Sequence, residues 1–213
     1  MNDLLRKLPK QRRGIVGIEA AIVLIAFVVI AASMAYVVIN MGFYAGQKAK
    51  STIDQGVSEA TGALEQDGFV TGFTNGTVVQ YLAIPVKLAV GLGDEDLNGS
   101  NVVVSVLCTQ VVGTTWSIAN IYTGTLPSAS LNLTALMTAV PAPGSIAYQF
   151  NSEGDTVLNQ NEKAFFCINL GPNYQIASDS KLKIEIRTGR GAALMIMRDI
   201  PGGLPNNGAV DLN

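Results

Sequence analysis

Residues 15–39 read IVGIEAAIVLIAFVVIAASMAYVVI, an apolar run of 25 residues with a single carboxylate, Glu19. As a helix it spans about 37 Å, more than the roughly 30 Å hydrocarbon core of a bilayer. The segment before it is basic: Arg6, Lys7, Lys10, Arg12 and Arg13 face one acid, Asp3. By the positive-inside rule this places residues 1–13 in the cytoplasm and the C-terminus outside. Without residues 1–14 the chain keeps nine basic and 15 acidic residues, a net of −6. An acidic chain lacks the basic face that neutralises phosphates, so nucleic acid is not an expected partner. The basic segment reads as a topology signal.

Three readings of this region compete. A secretory signal would be cut after its apolar core, and Ala31-Ala32-Ser33 supplies small residues for a cut, but such signals have a 7–15 residue apolar core, shorter than this run. A permanent anchor would keep the whole segment. A leader cut before the run would leave the run at the new N-terminus. Glu19 bears on the choice, because a carboxylate in an apolar helix is costly in lipid and normally has a partner. A cut after Gly14 makes Glu19 the fifth residue, one helical turn from a new α-amino group that could pair with the carboxylate of a neighbouring copy.

Arg12-Arg13-Gly14 followed by Ile15-Val16-Gly17-Ile18-Glu19-Ala20-Ala21-Ile22-Val23 resembles the class III signal of archaeal type IV pilins and archaellins (archaeal flagellins). In that family a membrane-embedded prepilin peptidase cuts after a Gly that follows basic residues. The resemblance implies cleavage between Gly14 and Ile15. It also matches Gly17 and Glu19 to the Gly and the acid at the third and fifth mature positions.

Nothing breaks the helix at Ile39. Asn40 to Gln66 has no Pro, and Ile53, Val57, Ala60 and Leu64 recur at helical spacing. Asp67-Gly68 reads as the stop, giving an expected helix over Ile15–Gln66 of about 78 Å. Gly42 and Gly46 form a small-xxx-small pair, which either allows close helix approach or adds flexibility.

From Phe69 the pattern changes. Val78–Val90, Val102–Val111, Thr115–Tyr122, Ala147–Phe150, Ala164–Leu170, Leu182–Thr188 and Ala193–Arg198 are rich in Val, Ile, Thr and aromatics, with turn residues between them. Residues 124–146 read as a long loop or a short helix. The expected class is α+β: a long N-terminal helix followed by an antiparallel, Ig-like β-sandwich. The expected division is 1–14 leader, 15–67 filament-core helix and 68–213 outer sandwich. Tyr81-Leu82-Ala83-Ile84-Pro85-Val86-Lys87-Leu88-Ala89 resembles the first core strand of archaellins. Ile168-Asn169-Leu170, Ile184-Glu185-Ile186 and Gly191-Ala192-Ala193-Leu194 resemble their C-terminal half.

The chain has no His, hence neither the commonest general base nor the commonest metal ligand. No nucleophile–base set and no phosphate-binding Gly loop is present, so no catalytic residues and no cofactor are expected. Asp94-Glu95-Asp96-Leu97-Asn98-Gly99 matches the opening of a calcium loop. The closing Glu position is Ser105, which leaves Asp94, Asp96 and Asn98 as an acidic turn first and a metal site second. Asn75-Gly76-Thr77, Asn98-Gly99-Ser100 and Asn132-Leu133-Thr134 are N-glycosylation sequons. Cys108 and Cys167 either bridge two strands in an oxidising compartment or stay as buried thiols.

The function expected from these features is structural. A precursor held in the membrane is cut by prepilin peptidase and polymerises with itself through its helix. The archaellin resemblance implies an extracellular swimming filament, the archaellum, with its assembly machinery as partner. The alternatives are an adhesive type IV pilus subunit and a membrane-anchored β-sandwich that binds a ligand.

Overall fold

The computed structural model describes residues 13–60, 64–90, 93–110, 114–130 and 132–212, and the side chains of the long helix from residue 17 to 57. The chain divides into two units, residues 1–54 and 55–213. The first is carried by α1 (Arg13–Ala60), whose 48 residues make a rod of about 72 Å.

In the second unit the strands run, in chain order, β1 (Leu64–Gln66), β2 (Val70–Thr74), β3 (Val78–Leu88), β4 (Glu95–Asp96), β5 (Val103–Thr109), β6 (Trp116–Ile118) and β7 (Tyr122–Pro127). After α2 (Leu133–Ala139) come β8 (Gly144–Phe150), β9 (Val157–Leu158), β10 (Lys163–Asn169), β11 (Ile176–Ala177), β12 (Lys181–Arg187), β13 (Leu194–Asp199) and β14 (Gly208–Leu212). The larger sheet has the order β14-β2-β3-β10-β8-β7, with β1 and β11 also pairing with β3. The smaller sheet is β13-β12-β5-β6, and β4-β9 form a separate pair. Every described pairing is antiparallel except β7 with β8, which is parallel.

Two kinds of sequence pattern build these two sheets. In the smaller sheet Lys181–Arg187 alternates strictly: Leu182, Ile184 and Ile186 are buried, and the residues between them face outward. A sheet covered on one face needs apolar residues at every second position only. The larger sheet is covered on both faces. Leu82, Ile84, Val86, Ala164, Phe166 and Ile168 join Val104, Val106 and Ile184 in the core between the sheets. Ala83, Cys167, Ile146 and Tyr148 point the other way, against Met137 of α2 and Val140 beside it. Double coverage explains why Leu82–Val86 and Phe166–Ile168 are continuously apolar and buried.

Residues 124–146 are thus a working part of the fold. They supply β7 and the helix that covers the second face. Asn132 caps α2 by accepting the Ala135 N–H (3.2 Å), and Asn169 Nδ2 donates to the Val140 carbonyl at the other end (2.8 Å).

The N-terminal boundary differs from the expected one. Leu64–Gln66 is not helix; it pairs with Val86–Leu88 of β3. The helical spacing of Leu64 is real but is overruled, because pairing buries Leu64 to 5% exposure. Asp67 then forms ion pairs with Lys87 (3.4 Å) and Lys163, and its N–H donates to the Pro85 carbonyl. Gly68 serves as the β1–β2 turn, at φ +140°, a backbone that side chains disfavour. Arg198 Nη2 reaches Gln66 Oε1 at 2.9 Å, linking the smaller sheet to β1.

A bond between Cys108 and Cys167 is also ruled out by this architecture. Cys108 lies in the core between the sheets, and Cys167 lies on the opposite face of the larger sheet under α2. Their Cβ vectors serve different cores, so the geometry of a disulfide is out of reach. Both are free and fully buried, and burial pushes the Cys167 thiol up to about 12 and the Cys108 thiol up in the same direction.

Thiol titration without reductant should therefore find neither cysteine reactive in the native protein at pH 8, and both reactive after denaturation. Recovery of no thiols on unfolding would contradict this placement. Asp67 supplies a second check. Its pairing with Lys163 above all, then Lys87, lowers its pKa against a burial penalty that raises it. Its contribution is present above the unfolded carboxylate value, about 3.9, and is lost as pH falls through the lower folded value. Asp67→Asn should destabilise the β unit by up to about 1 kcal/mol at pH 7. At pH 2 urea denaturation should show a smaller difference.

Candidate assembly surface

The largest feature of the chain's surface is α1 itself. Nineteen large hydrophobics from Ile18 to Val57 are exposed, the least exposed being Val37 at 45%. They point in every direction around the helix, so turning one face inward would not remove them from water. The helix from Gly17 to Val57 is long and apolar enough to cross a membrane. Each such side chain gains about 1.5–3 kcal/mol on burial away from water. A surface of this kind calls for lipid or for other apolar helices around it.

Two of its hydroxyls fit dry burial. Ser33 Oγ donates to the Val29 carbonyl (2.8 Å) and Thr52 Oγ1 to the Lys48 carbonyl (2.9 Å), so both hydroxyls are satisfied inside the helix. Gly42 and Gly46 lie within unbroken helix, and an added Cβ at either would meet nothing within 4 Å. The fold of the isolated chain therefore does not require glycine there. Glu19 is exposed on the same apolar rod, as is the backbone at Gly17. Arg13, Gly14 and Ile15 belong to the helical backbone, whereas Arg12 lies outside the described residues.

The three sequon asparagines stand at exposed turns or caps. Asn75 Oδ1 accepts the N–H groups of Thr77 and Val78 in the β2–β3 turn. Asn98 Oδ1 accepts the Ser100 N–H and hydroxyl after β4. Asn132 is the cap of α2. In all three the carbonyl oxygen holds the turn, so a substituent on the amide nitrogen would leave these bonds in place.

The Asp94–Asn98 loop is braced by its own side chains. Asp96 Oδ1 accepts the Asn98 N–H (3.0 Å) and the Thr156 hydroxyl (2.9 Å), and Oδ2 accepts Asn101 Nδ2 (2.9 Å). The Tyr122 hydroxyl donates to the Leu97 carbonyl at 2.7 Å, pinning the loop to the core. Asp96 thus fastens this loop to the β9 end, and no group of three or more acidic or Cys side chains suited to a metal occurs among the described residues.

Sequence reading missed a second exposed surface. Val103 and Leu107 on β5, with Met195 and Met197 on β13, stand on the outer face of the smaller sheet. The run Leu194-Met195-Ile196-Met197 carries the signal, being apolar on both faces of an edge strand.

A family model described as archaeal-type flagellin matches residues 14–198. Probable flagellin 1 of Aeropyrum pernix is 38% identical over 208 residues, covering 95% of this chain and 99% of the relative. The solved archaeal flagellum of Methanospirillum hungatei is 27% identical, with a TM-score of 0.55 over 92% of this chain and 99% of that one. Archaeal flagellin FlaB1 from Methanocaldococcus jannaschii, 18% identical with a TM-score of 0.56 over 70% of this chain and 95% of that one, shares the fold. The matches to Probable flagellin 1 and to the solved flagellum run over both the apolar helix and the two-sheet unit of this chain. The chain belongs to the archaeal-type flagellin family and is a structural subunit of an archaeal flagellar filament, a polymer of its own copies outside the cell.

Proposed function

We propose that this chain is made as a membrane-held precursor and is cut between Gly14 and Ile15 by a prepilin-type peptidase. The archaellum assembly machinery then moves it from bilayer to filament, and the filament serves swimming. The observation that carries this reading is the exposed apolar surface of α1 from Ile18 to Val57. Before assembly the bilayer covers that surface, with residues 1–13 on the cytoplasmic side. Outside the membrane the alternative to helix contact is water, and the α1 helices of neighbouring copies cover one another. Residues 15–67 then provide the core of the filament, helix first and root strand last, and residues 68–213 the outer layer.

Glu19 belongs to the assembly step. Removal of the leader creates an α-amino group one helical turn away. In a stack of staggered helices that ammonium pairs with the Glu19 carboxylate of a neighbour, offsetting the cost of burying either charge alone. Gly17, Gly42 and Gly46 let neighbouring helices approach closely. Asn75, Asn98 and Asn132 carry N-linked glycans on the outer surface, supported by their exposure and by turns held through their carbonyl oxygens.

Intact mass and N-terminal sequencing of exported filaments should give a chain that starts at Ile15. A start at Met1 or Met34 would sink the cleavage assignment. Gly14 replaced by a bulky residue should hold the precursor at full length in the membrane. Glu19→Gln should be processed normally yet yield few or no filaments by electron microscopy; wild-type filament numbers would refute the pairing.

A further inference from the structure

The β unit is acidic: from Leu64 on it carries seven basic and twelve acidic residues. Neighbouring copies in a polymer repel one another wherever acid meets acid. The charge is unevenly placed. Six of the twelve acids fall in residues 94–96 and 153–162, which the β4–β9 pair brings together. Asp94, Glu153 and Asp155 are exposed there. The outer face of the smaller sheet is the reverse. It carries Lys181, Lys183 and Arg187 against Glu185 and Asp199, and the rest of the β unit is left with four basic and ten acidic residues.

This face is also where apolar surface collects. Of the seven exposed large hydrophobics described from Leu64 on, four stand here: Val103, Leu107, Met195 and Met197. Lys183 sits among them, with Leu107 and Met197 as its direct cross-strand neighbours. An open groove of about 510 Å³ runs past Leu107, Lys181, Lys183 and Met197. A sheet face that met only solvent would carry polar residues at these outward positions. Arg187 is already bound to Glu185 at 2.7 Å and Lys181 stands opposite Asp199, so Lys183, between Leu107 and Met197, is the cation of this face best placed to meet a partner, with Lys181 beside it.

We infer that this face is an interface between copies, occupied by the acidic β4–β9 end of the next subunit. Apposing two copies of the face would set lysine against lysine and close into a pair. Seating a different, oppositely charged surface makes a head-to-tail contact, which continues from copy to copy as a filament requires. Met195, Met197 and Leu107 are covered by that contact, and Lys183 gains a carboxylate as its surroundings lose water. The inference rests on the polymer reading and adds to it a contact outside the helix.

The test uses the full chain in a filament-forming host that lacks its own copy. Lys181→Glu with Lys183→Glu should lower filament yield about tenfold or more, because acid then meets acid. Adding Asp94→Lys and Glu153→Lys to the same chain should restore it, since every copy then carries the swapped pair. A second readout needs no variant. Wild-type filaments grown from equal parts of light and heavy isotope-labelled chains are treated with a zero-length carbodiimide crosslinker. Mass spectrometry should find Lys181 or Lys183 joined to Asp94, Glu153 or Asp155 in mixed light–heavy pairs. Full yield from the lysine variant, no rescue by the swap, or no mixed crosslink at these positions would each overturn the interface while wild-type filaments still form. Failure of the wild-type chain to form filaments would instead overturn the polymer reading.

Discussion

An apolar rod exposed on all sides cannot be a finished structure in water. From Ile18 to Tyr44 the helix has no polar face to turn outward, so no packing of one chain against itself could hide it. Its burial has to come from lipid or from copies of the same helix. This one constraint sets the roles of the remaining parts. Ser33 and Thr52 close their own hydrogen bonds within it, and Glu19 is the one carboxylate in its first half. A second unit must then stay soluble while attached to it.

That second unit is stabilised in a conventional way, by a core between two sheets and a smaller one under α2. Its entry strand is held with more than packing. β1 is paired with β3, Asp67 meets two lysines from β3 and β10, and Gln66 is reached by Arg198 from the other sheet. The strand that follows the helix is therefore fastened to both sheets within a few residues.

Much of this was legible in the sequence, and the legible parts share a cause. The apolar run at 15–39 is local and needs no partner to be read. The alternation of Lys183-Ile184-Glu185-Ile186-Arg187 reports a sheet covered on one face. The continuous runs around Ile84 and Phe166 report a sheet covered on both. The short strands were harder. β4, β9 and β11 have two residues each and no periodicity, and β14 lies at the end of the described chain, its partner β2 some 135 residues earlier. Such pairings are decided by what lies opposite, and single-sequence pattern does not contain that.

By itself the sequence determined the helix, the change to strands after it and the absence of a histidine-based site, because each depends on residue type or on spacing within a few turns. Only the tertiary structure decided that Leu64–Gln66 leaves the helix for a sheet, that α2 covers a second core, and that Cys108 and Cys167 serve opposite faces. The physical reason is the same in each case. A helix forms from hydrogen bonds four residues apart, whereas a strand takes its bonds from wherever another strand has been brought, and its side chains take their side from that register.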